Sequence, residues 1–388
     1  MAGESEESIQ MTDTVDRPGP ILAPGKRIDP AEFGERFFVR AVTQERIEAG
    51  LADLAGKGTK IGPFAIGPLG MASVVAEGAV GTPRITRMQP NVAYDVTVPA
   101  ALGVVVTLGG QKLGLEVGLE IDLELHARAA DPLLVVIDVP RVSPRDVRLI
   151  VRAEAIGSAF DWIIEPIGKV VRAEVAARVN AMVHEPGSLR GRVFDIAARI
   201  DDLPDDGPVG TDFTWISYGE FGHNFFEHAV TRARVEAGVA DIGGRTIDIG
   251  PMKAGPRDIA TVTANGQVGT PEVRDRDGAD IAFDLYIPVS LELVVAVGSG
   301  HRYAAEIGIP IVLTVHAADP LLIVIDIAAP DADGVSLDLD AQGTRASLVG
   351  FIGGVKTQIR EQVAEVVRLE VGDPPVRVID IGDRIDLA

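Results

Sequence analysis

The stretch GERFFVRAVTQERIEAGLADLAGKGTKIGP at residues 34–63 returns at 222–251 as GHNFFEHAVTRARVEAGVADIGGRTIDIGP, matching at 16 of 30 positions without a gap. The shared letters include Gly34/Gly222, Phe37-Phe38/Phe225-Phe226, Ala41-Val42-Thr43/Ala229-Val230-Thr231 and Ile61-Gly62-Pro63/Ile249-Gly250-Pro251. The same 188-residue shift carries Gly81-Thr82-Pro83 onto Gly269-Thr270-Pro271 and Ala130–Leu134 onto Ala318–Leu322. Solenoid and propeller units repeat every ~20–50 residues, so a period this long is a whole domain written twice. A half of roughly 160–180 residues buries about 70% of the surface its unfolded chain exposes and needs no covalent staple. The reading divides the 388 residues into a disordered acidic leader over 1–30, a first module over 31–202, a linker over 203–219 and a second module over 220–388.

Outward from the repeated block, each half runs in one order. Phe37, Phe38, Ala41 and Val42 gather on one side of a short helix, and Phe225, Phe226, Ala229 and Val230 repeat the spacing. These aromatics read as core anchors. A Gly-Pro turn region follows, and then strands with period-2 alternation. Leu115 to Leu125 puts six apolar residues on one face and four carboxylates with a glycine on the other, a half-buried antiparallel strand. The apolar alternation from Ile281 to Val297 covers 17 residues, long for one strand, and Pro288 within it predicts an edge or bulge. Leu133 to Ile137 is continuously apolar, as in a strand covered on both faces.

Each half then closes on a long amphipathic helix and a short strand. In the first, Phe160, Ile163, Ile164, Ile167, Val170, Val171, Val175, Val179, Met182 and Val183 form the apolar stripe, with Lys169, Arg172, Glu174 and Arg178 opposite. Leu348, Ile352, Val355, Ile359, Val363, Val366 and Val367 repeat it. The fold class is therefore α+β: two tandem copies of a strongly curved antiparallel sheet wrapped on a long amphipathic helix.

Composition narrows the chemistry. There is no cysteine, which excludes disulfides, thiol catalysis and Cys-ligated metal centres. A formal charge of −21 argues against nucleic acid and against strong binding to anionic membranes, both of which reward Lys/Arg patches. The N-terminus lacks a basic segment followed by an apolar one, and no run approaches 18 apolar residues, so a cytoplasmic protein is expected. No nucleophile elbow, phosphate-binding loop, dinucleotide fingerprint or His-Glu-x-x-His is present. His223 and His228 fall on different helix faces, and the Asp-rich stretches at 275–280 and 331–334 lack the ligand spacing of a calcium loop, so they read as turns. The chain is expected to be no enzyme and to need no cofactor or metal.

The order of helix, long bent strands, long amphipathic helix and final strand, twice in about 190 residues each, resembles the tubular lipid-binding (TULIP) superfamily. Its bactericidal/permeability-increasing-like members carry two such modules, and the resemblance covers about residues 31–388. It implies a sheet rolled around its long helix and opening to an acyl-chain tunnel. This chain departs from the secreted members in lacking a signal peptide, a cysteine pair and a cationic surface, which favours an intracellular carrier over endotoxin binding. A helix-grip lipid-binding fold is the alternative architecture, and the strand after each long helix counts against it.

On this reading the ligand meets Leu119, Ile121, Leu123, Ile164 and Ile167 in the first module and Ile307, Ile309, Ile352 and Ile359 in the second. Smooth aliphatic walls suit an apolar small molecule such as a lipid or isoprenoid. They equally suit a solid core. The competing function is a structural or assembly protein whose sheet edges recruit protein partners or further copies of itself.

Overall fold

The computed structural model describes residues 25–66, 70–88, 92–152, 161–204, 210, 212–254, 260–278, 280–297, 299–341, 349–372 and 376–386. It opens with β1 (Arg27–Ile28), α1 (Pro30–Ala41) and α2 (Gln44–Leu51). Asp29 caps α1 by accepting from the Glu32 N–H, and Pro30 starts the helix where a missing N–H costs nothing. Thr43 then caps α2 by accepting from the Arg46 N–H, so the repeated Ala-Val-Thr is the joint between two helices.

The first sheet, which two later strands complete, begins with β2 (Gly58–Ile66), β3 (Ala72–Val80), β4 (Arg84–Met88), β5 (Ala93–Leu108), β6 (Gln111–Ala130), β7 (Leu134–Asp138) and β8 (Val147–Arg152). Next along the chain come α3 (Asp161–Val183), α4 (Pro186–Arg190), β9 (Val193–Asp195) and α5 (Ile196–Ile200). The second half follows with β10 (Trp215–Ile216), α6 (Tyr218–Ala229), α7 (Arg232–Val239), β11 (Thr246–Ala254), β12 (Ala260–Val268), β13 (Glu272–Arg276), β14 (Ile281–Val297) and β15 (Ser299–Ala318). It ends with β16 (Leu322–Ala328), β17 (Ser336–Ala341), α8 (Val349–Val371), β18 (Val376–Asp380) and α9 (Ile381–Asp386).

Both sheets are antiparallel, strongly curved and identical in strand order: β2-β3-β5-β6-β7-β9 matches β11-β12-β14-β15-β16-β18. The curvature follows from what each long helix touches. β2 and β8 are separated by β3, β5 and β6, about 19 Å in a flat sheet at ~4.8 Å per strand. α3 packs on both, and α8 packs likewise on β11 and β17. A helix with its side chains is only ~10–12 Å across, so the sheet must curl to bring both strands onto it.

Proline and glycine place the irregularities. The β2–β3 register slips by one residue between Ile61 and Phe64, and the β11–β12 register slips between Ile249 and Met252, at the duplicated Ile-Gly-Pro. Gly62 there has φ +93°, open to glycine and strained for other residues. Pro288, expected at an edge or bulge, lies where β12, which ends opposite Val289, gives way to β13, which begins opposite Tyr286. Its missing N–H therefore leaves no ladder bond unmade. The chain crosses over it at the duplicated Gly-Thr-Pro, with the Gly269 N–H donating to the Pro288 carbonyl at 2.7 Å, and Gly81 does the same to Pro99.

The halves are joined by exchanged segments. β6 outruns β5 at its far end, where Ala129 and Ala130 pair with Ile216 and Trp215 from the start of the second half. Reciprocally, Ala317 and Ala318 of β15 pair with Ile28 and Arg27. The composition of residues 203–219 and of the acidic leader gave no sign of these strands. Behind them α1 crosses α6, each presenting a glycine to the other's backbone. A Cβ on Gly34 would lie 1.9 Å from the Tyr218 carbonyl oxygen, and one on Gly222 would lie 1.8 Å from that of Pro30. Around the crossing, Phe33, Phe37 and Phe38 pack ring to ring against Phe225, Phe226, Phe221 and Tyr218 at 4.2–5.7 Å. The duplicated phenylalanines are core anchors, shared between the repeats.

Candidate functional site

β6 supplies one wall of the first module. Leu115, Val117, Leu119, Ile121, Leu125, Ala127 and Ala129 are buried on its inner face, whereas Glu116 and Glu124 are exposed on the outer one. Ile121 lies opposite Val98 of β5 and Val147 of β8, and Leu119 lies opposite Ala100 and Leu149. Leu123 is only partly buried but packs against the same core. In the second module Ile307 faces Val289 and Leu337, and Ile309 faces Ile287. Ile359 of α8 is buried with them. Ile164 and Ile167 fall within α3 and Ile352 within α8, but their side chains lie outside the described residues.

The structure keeps most of each long helix's apolar stripe on the core and turns two of its members out. Val171, Val175 and Ala176 are buried in α3, with Val170, Val179 and Val183 partly so. Met182, read from spacing as part of the stripe, is 51% exposed, and Val366 of α8 is 47% exposed. The core row advances by fours, Val171-Val175-Val179-Val183 in α3 and Ile359-Val363-Val367-Val371 in α8, so at ~3.6 residues per turn it drifts around the helix by ~40° each turn and leaves Met182 and Val366 facing solvent. Arg172, expected opposite the stripe, is only half exposed, because it shares a side of the helix with buried Ala176 one turn later.

Sequence reasoning passed over the neighbouring strands as wall. Val96, Val98, Ala100, Leu102, Val104 and Val106 line the inner face of β5, but Pro99, Ala101, Gly103 and Val105 between them blur the alternation. The apolar run after Ala130 is covered on both faces as expected. Val135 joins the main core, and Val136 packs outside it with Ala130, Val193 and Phe213.

Polar chemistry lies at the margins. No polar or charged residue is buried among the described residues. No cluster of three or more His, Asp or Glu side chains able to hold a metal occurs among them. Two tyrosine hydroxyls tie helices to strands: Tyr94 donates to the Val42 carbonyl at 2.7 Å and Tyr218 to the Ala127 carbonyl at 2.6 Å. Burial pushes both phenols above the usual tyrosine pKa. Asn180 of α3 exchanges two hydrogen bonds with the Val142 backbone, and Arg178 donates to the Lys60 carbonyl of β2, fixing the helix to β2 and to the β7–β8 connection. No described helix is long and apolar enough to cross a membrane.

No family model matches the chain, and no curated protein matches it. Among solved structures it is similar to "Crystal structure of lipopolysaccharide binding protein" at 9% identity, with a TM-score of 0.28 over 90% of this chain and 91% of that one. Two structures of P47 from Clostridium botulinum are also similar. The E1 protein gives 7% identity and a TM-score of 0.28 over 84% of this chain and 85% of that one; the A2 protein gives 8% and 0.23 over 84% of each.

Proposed function

We propose that the protein is a non-enzymatic, intracellular carrier or sensor of an apolar small molecule, a lipid or isoprenoid, held between the curled sheet and the long helix of each repeat. One observation carries the reading. Each inner wall is aliphatic over most of a 20-residue strand, from Leu113 to Ala129 on β6 and from Ala305 to Ala317 on β15, and is closed over by a long helix whose buried residues are also aliphatic. Such a lining offers an acyl or prenyl chain apolar contact along these stretches. The resemblance to tubular lipid-binding modules supports the same use of the space.

The solid-core assembly reading has its own support in the shared aromatic core, which binds the repeats as an interface binds subunits. Native mass spectrometry of gently purified protein, combined with Ile121→Trp and Ile309→Trp, separates the two. In a carrier, lipid co-purifies with the parent and the indoles displace it with little change in melting temperature. In a solid core the parent is empty and each indole costs about 1–3 kcal/mol through overpacking; that outcome would refute the carrier.

A further inference from the structure

The two long helices align residue for residue under the same 188-residue shift, and they agree at only 6 of 23 positions. Five of these are aliphatic: Ile164/Ile352, Val175/Val363, Ala176/Ala364, Val179/Val367 and Val183/Val371. The sixth is Arg172/Arg360, the only ionisable residue common to both. Every other charge on α3 faces a different residue type on α8, as expected of solvated positions free to drift. Retention of one arginine among the packing residues asks for a reason.

Its buried neighbours along the helix recur in both copies. Arg172 follows buried Val171 and precedes buried Ala176 by one turn, and Arg360 stands in the same relation to Ile359 and Ala364. Both side chains are half-buried on the margin of the inner face. The Arg172 guanidinium lies 3.9 Å from the Cβ position of Gly168, which itself comes within 3.8 Å of Leu149 on β8, so the head sits where helix meets sheet. The acid it feels, Glu165, is bonded to Lys169 at 2.9 Å. The Nε of Arg360 is sealed from solvent and has no hydrogen-bond partner among the described residues. Asp338 and Asp340 of β17 are exposed and form no ion pair with it.

We infer that Arg172 and Arg360 are the headgroup anchors of the two modules and that the ligand is an anionic amphiphile, an apolar chain ending in a carboxylate or phosphate. This rests on the carrier reading and adds the polar end to it. A guanidinium offers a planar fork of N–H donors that an oxyanion fills bidentately. Placed at the lip of an aliphatic wall, it holds the charged end while the chain runs inward. In a protein of charge −21, a fixed cation at each mouth also offsets the repulsion an anionic ligand would meet.

The test compares palmitate, a monoacyl phosphate and hexadecanol on the full-length protein, by titration and native mass spectrometry, for the parent, Arg172→Gln, Arg360→Gln and the double variant. The parent should prefer the two anions over the alcohol by roughly tenfold or more, the factor one charged hydrogen bond supplies. Each single variant should lose that preference for one ligand equivalent and the double variant for both, while hexadecanol binding stays unchanged. Acetate and inorganic phosphate alone should not compete, which separates an amphiphile from a free anion. Equal binding of acid and alcohol, or a lowered melting temperature with the preference intact, would overturn the anchor assignment and leave the arginines as side chains covering apolar margin. Failure to bind any of the three chains would instead refute the carrier reading itself.

Discussion

Replacing Gly34 by alanine should separate the repeats. The added Cβ would lie 1.9 Å from the Tyr218 carbonyl oxygen and 3.0 Å from the Gly222 nitrogen, both backbone atoms that no rotamer change can clear. Ordinary contact begins near 3.4 Å, so α1 and α6 must part by about 1.5 Å. A gap of ~0.5–1 Å already forfeits a quarter to a half of a dispersion contact, so this one removes at least half. Six ring pairs span the crossing. At ~1 kcal/mol each, losing half of them costs about 3 kcal/mol. The helix propensity of alanine over glycine returns ~1 kcal/mol, leaving a net loss of about 2 kcal/mol. Gly222→Ala should behave alike, and the double variant should cost less than the two together, because one separation relieves both clashes. Gly50 in α2 is the control: nothing lies within 4 Å of its Cβ position, so Gly50→Ala should stabilise by roughly 0.5–1 kcal/mol. Guanidinium unfolding followed by tyrosine and tryptophan fluorescence measures all four. Equal stability of Gly34→Ala and the parent would mean that the helices do not cross at these glycines.

Two further tests address the helix face and the tyrosine ties. Val171→Asp, at a site 1% exposed, should bury an unpaired charge and cost about 3–5 kcal/mol, whereas Met182→Asp should stay within about 0.5 kcal/mol of the parent. Similar melting temperatures for these two variants would refute the observed face. Burial raises the folded pKa values of Tyr94 and Tyr218 above the ordinary tyrosine value, so the fold keeps their protons after the unfolded chain has released them. Their stabilising effect is therefore complete below about pH 10 and lost as pH rises through the folded values. Tyr94→Phe should lower stability at neutral pH by ~1 kcal/mol for the lost hydrogen bond and flatten this alkaline decline; an unchanged decline would refute the assignment.

Much of the architecture was legible because it is periodic. Alternation from Ile281 to Val297 marked β14 to the residue, and the 3–4 spacing placed both long helices. The N-cap role of the repeated Thr43 and Thr231 emerges only in the structure, where each hydroxyl meets a free N–H within its own turn. The walls named at Leu119, Ile121, Ile307 and Ile309 are buried for the same reason: in a strand, parity alone decides the face. Met182 and Val366 were misplaced because the core row steps by fours and drifts around the helix, so by that turn the neighbouring residues Val183 and Val367 face the core instead.

The sequence by itself determined that one unit is written twice, that each unit is a half-wet sheet with a long helix, and that its inner faces are aliphatic. These are properties of neighbours along the chain, which hydrophobic period and turn chemistry express locally. Only the tertiary structure decided that each repeat lends two residues of strand to the other's sheet, that Gly34 and Gly222 are helix-crossing points rather than flexible positions, and that Arg172 and Arg360 stand at the margin of a buried face. A two-residue strand has no period to read. A glycine's missing Cβ and an arginine's surroundings acquire meaning only from atoms about 190 residues away or across a curled sheet, and those distances are fixed by packing.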